Sequence, residues 1–172
     1  QLLGVLVVGF ISIIFANTAW AEKDGIMKLG SIGGNNHLIE VNGKYAYINK
    51  GSQFIILDIS SPDQPVELGS VGVEPFLHLK VKGNYAYLAG TALQVVDVSN
   101  PTRPVLVYTD RTAIAGMDIE GDYLYTINYI GTMTIRDIKD GKRPEVVGEF
   151  AYRKNGVMME ALIRVSQSYA YI

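Results

Sequence analysis

At 172 residues with 48% apolar side chains, the chain has the size of one folding unit and enough apolar surface for a substantial core. Fifteen basic and seventeen acidic residues give a formal charge of -2 and are spread along the chain, which excludes the basic footprint of a nucleic-acid binder. The lack of cysteine excludes disulfides, thiolate metal sites and a thiol nucleophile, so stability rests on packing.

The opening stretch, QLLGVLVVGFISIIFANTAWAEKDG, differs from everything after it. Residues 2–15 carry no charge, and Ala19-Trp20-Ala21 places small residues around a cleavage point. This predicts a signal peptide over residues 1–21 and an exported protein: periplasmic, secreted or on the cell surface. An uncleaved anchor is the rival reading and would be the chain's only membrane contact, but the run falls short of the roughly 20 residues that span a bilayer. The initiating Met and a basic flank are missing, so the sequence reads as a fragment at this end.

From residue 26 onward the chain repeats itself. FIILDISSPDQPVEL (54–68), LQVVDVSNPTRPVLV (93–107) and MTIRDIKDGKRPEVV (133–147) share an apolar run, an aspartate and a proline. Asp58, Asp97 and Asp137 are spaced by about 40 residues, as are Pro65, Pro104 and Pro144. Upstream of each lies VNGKYAYI (41–48), VKGNYAYL (81–88) or IEGDYLYT (119–126), with VSQSYAYI (165–172) as a fourth.

Each repeat resolves into four short strands, in the first copy 38–42, 44–49, 53–59 and 65–71. The predicted class is all-β: a β-propeller arc of four-stranded antiparallel blades, about three complete and others partial, behind an N-terminal apolar helix. Repeats fall at about 37–72, 77–110, 115–150 and 160–172, within one partial propeller over 26–172; residues 26–32 read as a preceding outer strand. A β-sandwich or flat meander is the competitor, but neither calls for such regular spacing.

Local chemistry agrees with the blade. Asn-Gly at 42–43 and its counterparts at 82–83 and 120–121 suit a tight turn between first and second strands. Alternation places both tyrosines of YAY on one face and alanine on the other, as packing residues. The aspartates are expected to accept backbone N–H bonds from the following loop. Each proline opens an outermost strand, where a missing donor costs least and edge pairing is discouraged.

LQVVDVSNPTRPVLV preceded by GNYAYLAG resembles the LVIVD repeat of exported and surface β-propellers. The third copy departs from the pattern, with DIKDGKRP in place of a sequence closer to Asp-Val-Ser-Asn-Pro. The resemblance implies a binding or structural propeller and brings no catalytic residues with it.

Chemistry-bearing motifs are sparse. His37 and His78 fall one register apart and do not suit a shared metal, so no metal and no cofactor are expected. No nucleophile elbow, zinc motif or phosphate loop is present, and no catalytic residue is assigned. Glu40, Lys80, Asp118 and Arg164 hold one polar position of the first strand with alternating sign. Two readings stand: charges that meet across blades around a channel, or independent solvated groups. Arg136 replaces Leu57 and Val96 of the other copies, marking either a local pocket with Tyr129 or the exposed edge of an incomplete ring, the second being preferred. Ligand contacts are expected on inter-blade loops, from Glu74, Phe76 and Arg111 and from Arg153, Lys154, Met158, Met159 and Glu160. The leading function is a non-enzymatic module binding a protein or glycan, or a scaffold. The alternative is a fragment of a periplasmic hydrolase or oxidoreductase whose catalytic groups lie in other blades.

Overall fold

The computed structural model describes residues 38–151, 163–166 and 169–171. The predicted leader, the 26–32 strand, His37 and the loop candidates Arg153, Lys154, Met158, Met159 and Glu160 lie outside the described residues.

The described chain is all-β and forms three four-stranded antiparallel sheets in meander order. Sheet one holds β1 (Ile39–Asn42), β2 (Tyr45–Lys50), β3 (Gln53–Asp58) and β4 (Val66–Gly72). Sheet two holds β5 (Phe76–Lys82), β6 (Tyr85–Gly90), β7 (Leu93–Asp97) and β8 (Val105–Asp110). Sheet three holds β9 (Ile114–Glu120), β10 (Tyr123–Asn128), β11 (Thr132–Asp137) and β12 (Glu145–Ala151). A hairpin of β13 (Arg164–Ser166) and β14 (Tyr169–Tyr171) starts a fourth unit. Among the described residues, no helix is long and apolar enough to cross a membrane.

Three local devices recur in every sheet. The turns after β1, β5 and β9 carry Gly43, Gly83 and Gly121 at φ of 61°, 57° and 54°, a left-handed backbone that a side chain resists. Asp58, Asp97 and Asp137 each accept the N–H of the residue two positions on, at 2.8, 2.9 and 2.8 Å. Hydrogen bonding by the Ser60 and Ser99 side chains, followed by these backbone bonds, holds the Asp58 and Asp97 carboxyls below the usual range. The pairing of third with fourth strand shifts register once in each sheet, between Ile56 and Leu57, Val95 and Val96, and Ile135 and Arg136. Such a bulge increases local twist, which stacked blades require.

Alternation buries one row of each strand against each neighbouring sheet. Tyr47, Phe54 and Ile56 of sheet one meet Val73, Phe76, Leu79, Ala86, Leu88 and Val96. Tyr87, Ala89, Leu93 and Val95 of sheet two meet Ile114, Met117, Leu124 and Ile138. The tyrosine and alanine rows therefore face opposite ways, as the YAY pattern predicts. First strands lie side by side, β1 against β5, β5 against β9 and β9 against β13. Fourth strands form the outer margin, a propeller-like arrangement.

Candidate functional site

The first-strand charges converge. Asp118, almost fully buried, lies 3.3 Å from Lys80 Nζ and 3.8 Å from Arg164 Nη1, and its Oδ2 accepts the Val165 N–H at 2.9 Å. One carboxylate thus joins β5, β9 and β13. Glu40 is half-buried and has no ion pair within 4 Å among the described residues. Burial pushes its carboxyl above the usual range more than Lys80 and Arg164 pull it down. His78 shares β5 with Lys80 and its Nε2 lies 3.0 Å from the Ala115 carbonyl oxygen, a second tie between sheets two and three.

Arg136 corrects the preferred reading of an exposed edge, since it is buried between sheets two and three. Its Nη1 donates to Thr126 Oγ1 and its Nη2 reaches Asp110 Oδ2 at 3.4 Å, while Nε has no partner. Tyr129 packs instead on Ala115 and Ile127. Phe76 also needs correction: it is a core residue, 4% exposed between sheets one and two, because it opens β5 rather than ending a loop. Glu74 and Arg111 remain on inter-sheet connections, Glu74 half-buried with its N–H bonded to Gln94 Oε1 at 3.0 Å, and Arg111 exposed.

At the opposite ends of the strands, the two junctions between sheets differ in a way the repeat does not announce. Between sheets two and three, Lys82 Nζ bridges to Asp122 Oδ1 at 2.6 Å and to the Gly121 carbonyl. Beside it, the Tyr87 hydroxyl donates to the Gly141 carbonyl at 3.0 Å. This junction is bridged by an ion pair and a hydrogen bond. Between sheets one and two, the equivalent positions are Asn42 for Lys82, Asn84 for Asp122, Tyr47 for Tyr87 and Pro101 for Gly141. No ion pair spans them, and a groove of about 390 Å³ stays open. Asn42, Lys44, Tyr45, Tyr47, Asn84 and Ser99 are among its walls.

The outer strand decides the difference. A Cβ at Gly69 of β4 would stand 2.7 Å from the Pro101 carbonyl oxygen, so the 101–102 loop leans on bare backbone there. In sheet two Tyr108 occupies the matching place, and the loop of sheet three leans instead on the Tyr85 ring. Only glycine fits that contact, since a Cβ at Gly141 would meet the ring at 2.1 Å. Sequence reading missed the groove because its walls come from two repeats about 40 residues apart. The signal available was the change from Lys82 and Asp122 to Asn42 and Asn84.

Comparison with known structures gives folds at low identity. A putative 6-phosphogluconolactonase from Bacteroides fragilis aligns at a TM-score of 0.61 and 14% identity, over 71% of this chain and 40% of that one. A protein from Lactobacillus plantarum aligns at 0.60 and 15%, over 73% and 44%. A functionally unknown protein from Desulfotomaculum acetoxidans aligns at 0.61 and 16%, over 75% and 45%. The chain thus spans less than half the length of these three structures. A search of curated proteins finds no match. Against protein families, the LVIVD repeat matches residues 33–73 and 78–112, the spans of sheets one and two. These two matches place two LVIVD repeats in the chain, and a third sheet is built on the same turn, Asx bond and bulge.

Proposed function

We propose that the chain is part of an exported β-propeller serving as a non-enzymatic binding or scaffold module at the cell surface or in the periplasm. Side-by-side first strands with outer fourth strands favour blades around an axis, and coverage of under half of the three bacterial structures named above favours further blades elsewhere. The charged axial groups bond to one another across sheets, which makes the sheets a stiff platform.

One observation carries the binding reading: the groove between sheets one and two is open and unbridged where its counterpart between sheets two and three is spanned by the Lys82–Asp122 pair and the Tyr87 hydrogen bond. A site that breaks repeat symmetry on a rigid frame suits recognition.

The test compares the full chain with the double variant Asn42→Lys/Asn84→Asp, which rebuilds the Lys82–Asp122 bridge in the open junction. Both are applied to immobilised peptides and oligosaccharides. Retention by the parent chain and loss by the bridged variant is expected. Equal behaviour of the two, or turnover of ester, lactone or glycoside substrates, would overturn the reading.

A further inference from the structure

We infer that the groove between sheets one and two is a saccharide subsite, holding one neutral pyranose unit of a glycan. The inference rests on the groove being a binding site, as proposed above, and names what it takes.

The chemistry of the walls carries it. Tyr47 is 4% exposed, yet it lines the groove and its hydroxyl has no hydrogen-bond partner among the described residues. Its repeat counterpart, Tyr87, does have one, the Gly141 carbonyl. The Tyr47 hydroxyl opens on the groove, where its donor and acceptor are both available to an entering ligand. The carboxamides of Asn42 and Asn84 stand in the same groove, again without side-chain partners among the described residues. Each amide can both donate and accept, as can the tyrosine hydroxyl, and this mixed set matches vicinal hydroxyls, which also do both. The Tyr45 ring supplies an apolar wall for the C–H face of a sugar.

Charge argues against other occupants. No carboxylate lines the groove, so a cation finds no anchor there. The sole cationic wall, Lys44, is a single exposed ammonium with its Nζ 5.3 Å from the centre of the Tyr45 ring. A phosphate would face one exposed cation and two neutral amides. An extended peptide would need an open strand edge, but the walls are turn residues and first-, second- and third-strand ends rather than the β4 margin. At about 390 Å³, the space lies at the small end of ligand sites and accepts one ring rather than a folded partner.

Titration of the full chain with cellotriose, maltotriose and chitotriose, followed by NMR shifts and calorimetry, tests this. At least one sugar is expected to bind with a dissociation constant of about 1 mM or tighter and to shift Asn42, Asn84, Tyr47 and Ser99. Tyr47→Phe, which keeps the ring, should weaken that sugar about fivefold, one hydrogen bond's worth. Asn84→Leu, at an exposed turn, should weaken it similarly with the fold intact. No groove shifts with any of the three sugars, or full affinity in both single variants, would overturn the inference. Groove shifts with a peptide or inorganic phosphate but no sugar would overturn the saccharide assignment and leave the binding site standing. A groove that answers no probe would overturn both.

Discussion

Lys80 Nζ stands 3.3 Å from Asp118 Oδ1, joining the first strand of one sheet to the first strand of the next. Asp118 also holds Arg164 and the Val165 N–H, so its removal leaves three donors in a confined space. Asp118→Asn should lower the unfolding free energy by about 2 kcal/mol, below the full cost of a buried pair because Lys80 and Arg164 reach water. Urea denaturation reads this. A double-mutant cycle with Lys80→Met should return a coupling of about 1 kcal/mol, and additivity would show that the pair is not formed in solution.

Arg136 is the opposite case. Its guanidinium is buried with one nitrogen unpartnered, at a position where the other sheets place Leu57 and Val96. Replacing a buried ion pair by apolar groups is often neutral or stabilising, and removing one partner is costly only where the other is left buried and unpaired. Arg136→Leu should therefore raise the denaturation midpoint, by about 1 kcal/mol in free energy. Asp110 keeps its bonds to Thr112 and partial access to water. A loss of stability would show that the Thr126–Arg136–Asp110 chain holds sheets two and three together.

Three strand glycines, Gly69 and Gly72 of β4 and Gly90 of β6, separate packing from backbone freedom. Gly69→Ala puts a methyl 2.7 Å from the Pro101 oxygen, and Gly90→Ala puts one 2.7 Å from the Phe76 Cα and the Pro75 oxygen. Each should cost about 2 kcal/mol, since the neighbours are backbone and cannot rotate away. Gly72→Ala, with nothing within 4 Å, should stay within about 0.5 kcal/mol of the parent. Thermal unfolding of the three variants, side by side, checks the contrast.

Glu40 makes a pH prediction. Burial raises its folded-state pKa above the ordinary 4.5, so the folded chain keeps a proton that the unfolded chain has released. Stability from this group is therefore present below 4.5 and lost as pH climbs through the raised value. Asp58 and Asp97 act in the opposite sense: their folded pKa values lie below 3.8, so their contribution is present above 3.8 and lost as pH falls through the lowered values. Glu40→Gln should match the parent in acid and exceed it at neutral pH. Equal urea midpoints at neutral pH would place Glu40 in an environment as wet as the unfolded state.

What could be read from the sequence was whatever one strand or turn settles by itself. Period-two alternation assigned faces to Tyr47, Ala46, Tyr87 and Ala86, because Cβ direction follows from the backbone alone. Asx bonds at Asp58, Asp97 and Asp137 span two residues, and the left-handed turns at Gly43, Gly83 and Gly121 one. Repetition every 40 residues or so then fixed the architecture, since identical units with one apolar row on each face can only stack.

The tertiary structure decided everything that lies between units. Phe76 read as a loop residue until sheet one closed over it, and Arg136 read as an edge residue until Thr126 and Asp110 surrounded it. The open groove depends on Asn42 meeting Asn84, on Pro101 where the next sheet has Gly141, and on Gly69 where the next has Tyr108. These are contacts between residues some 25 to 40 positions apart, set by how far two twisted sheets rotate against each other. Strand periodicity carries no information on that angle, so the sequence alone determined the blades and the packing of one blade on the next decided where the groove opens.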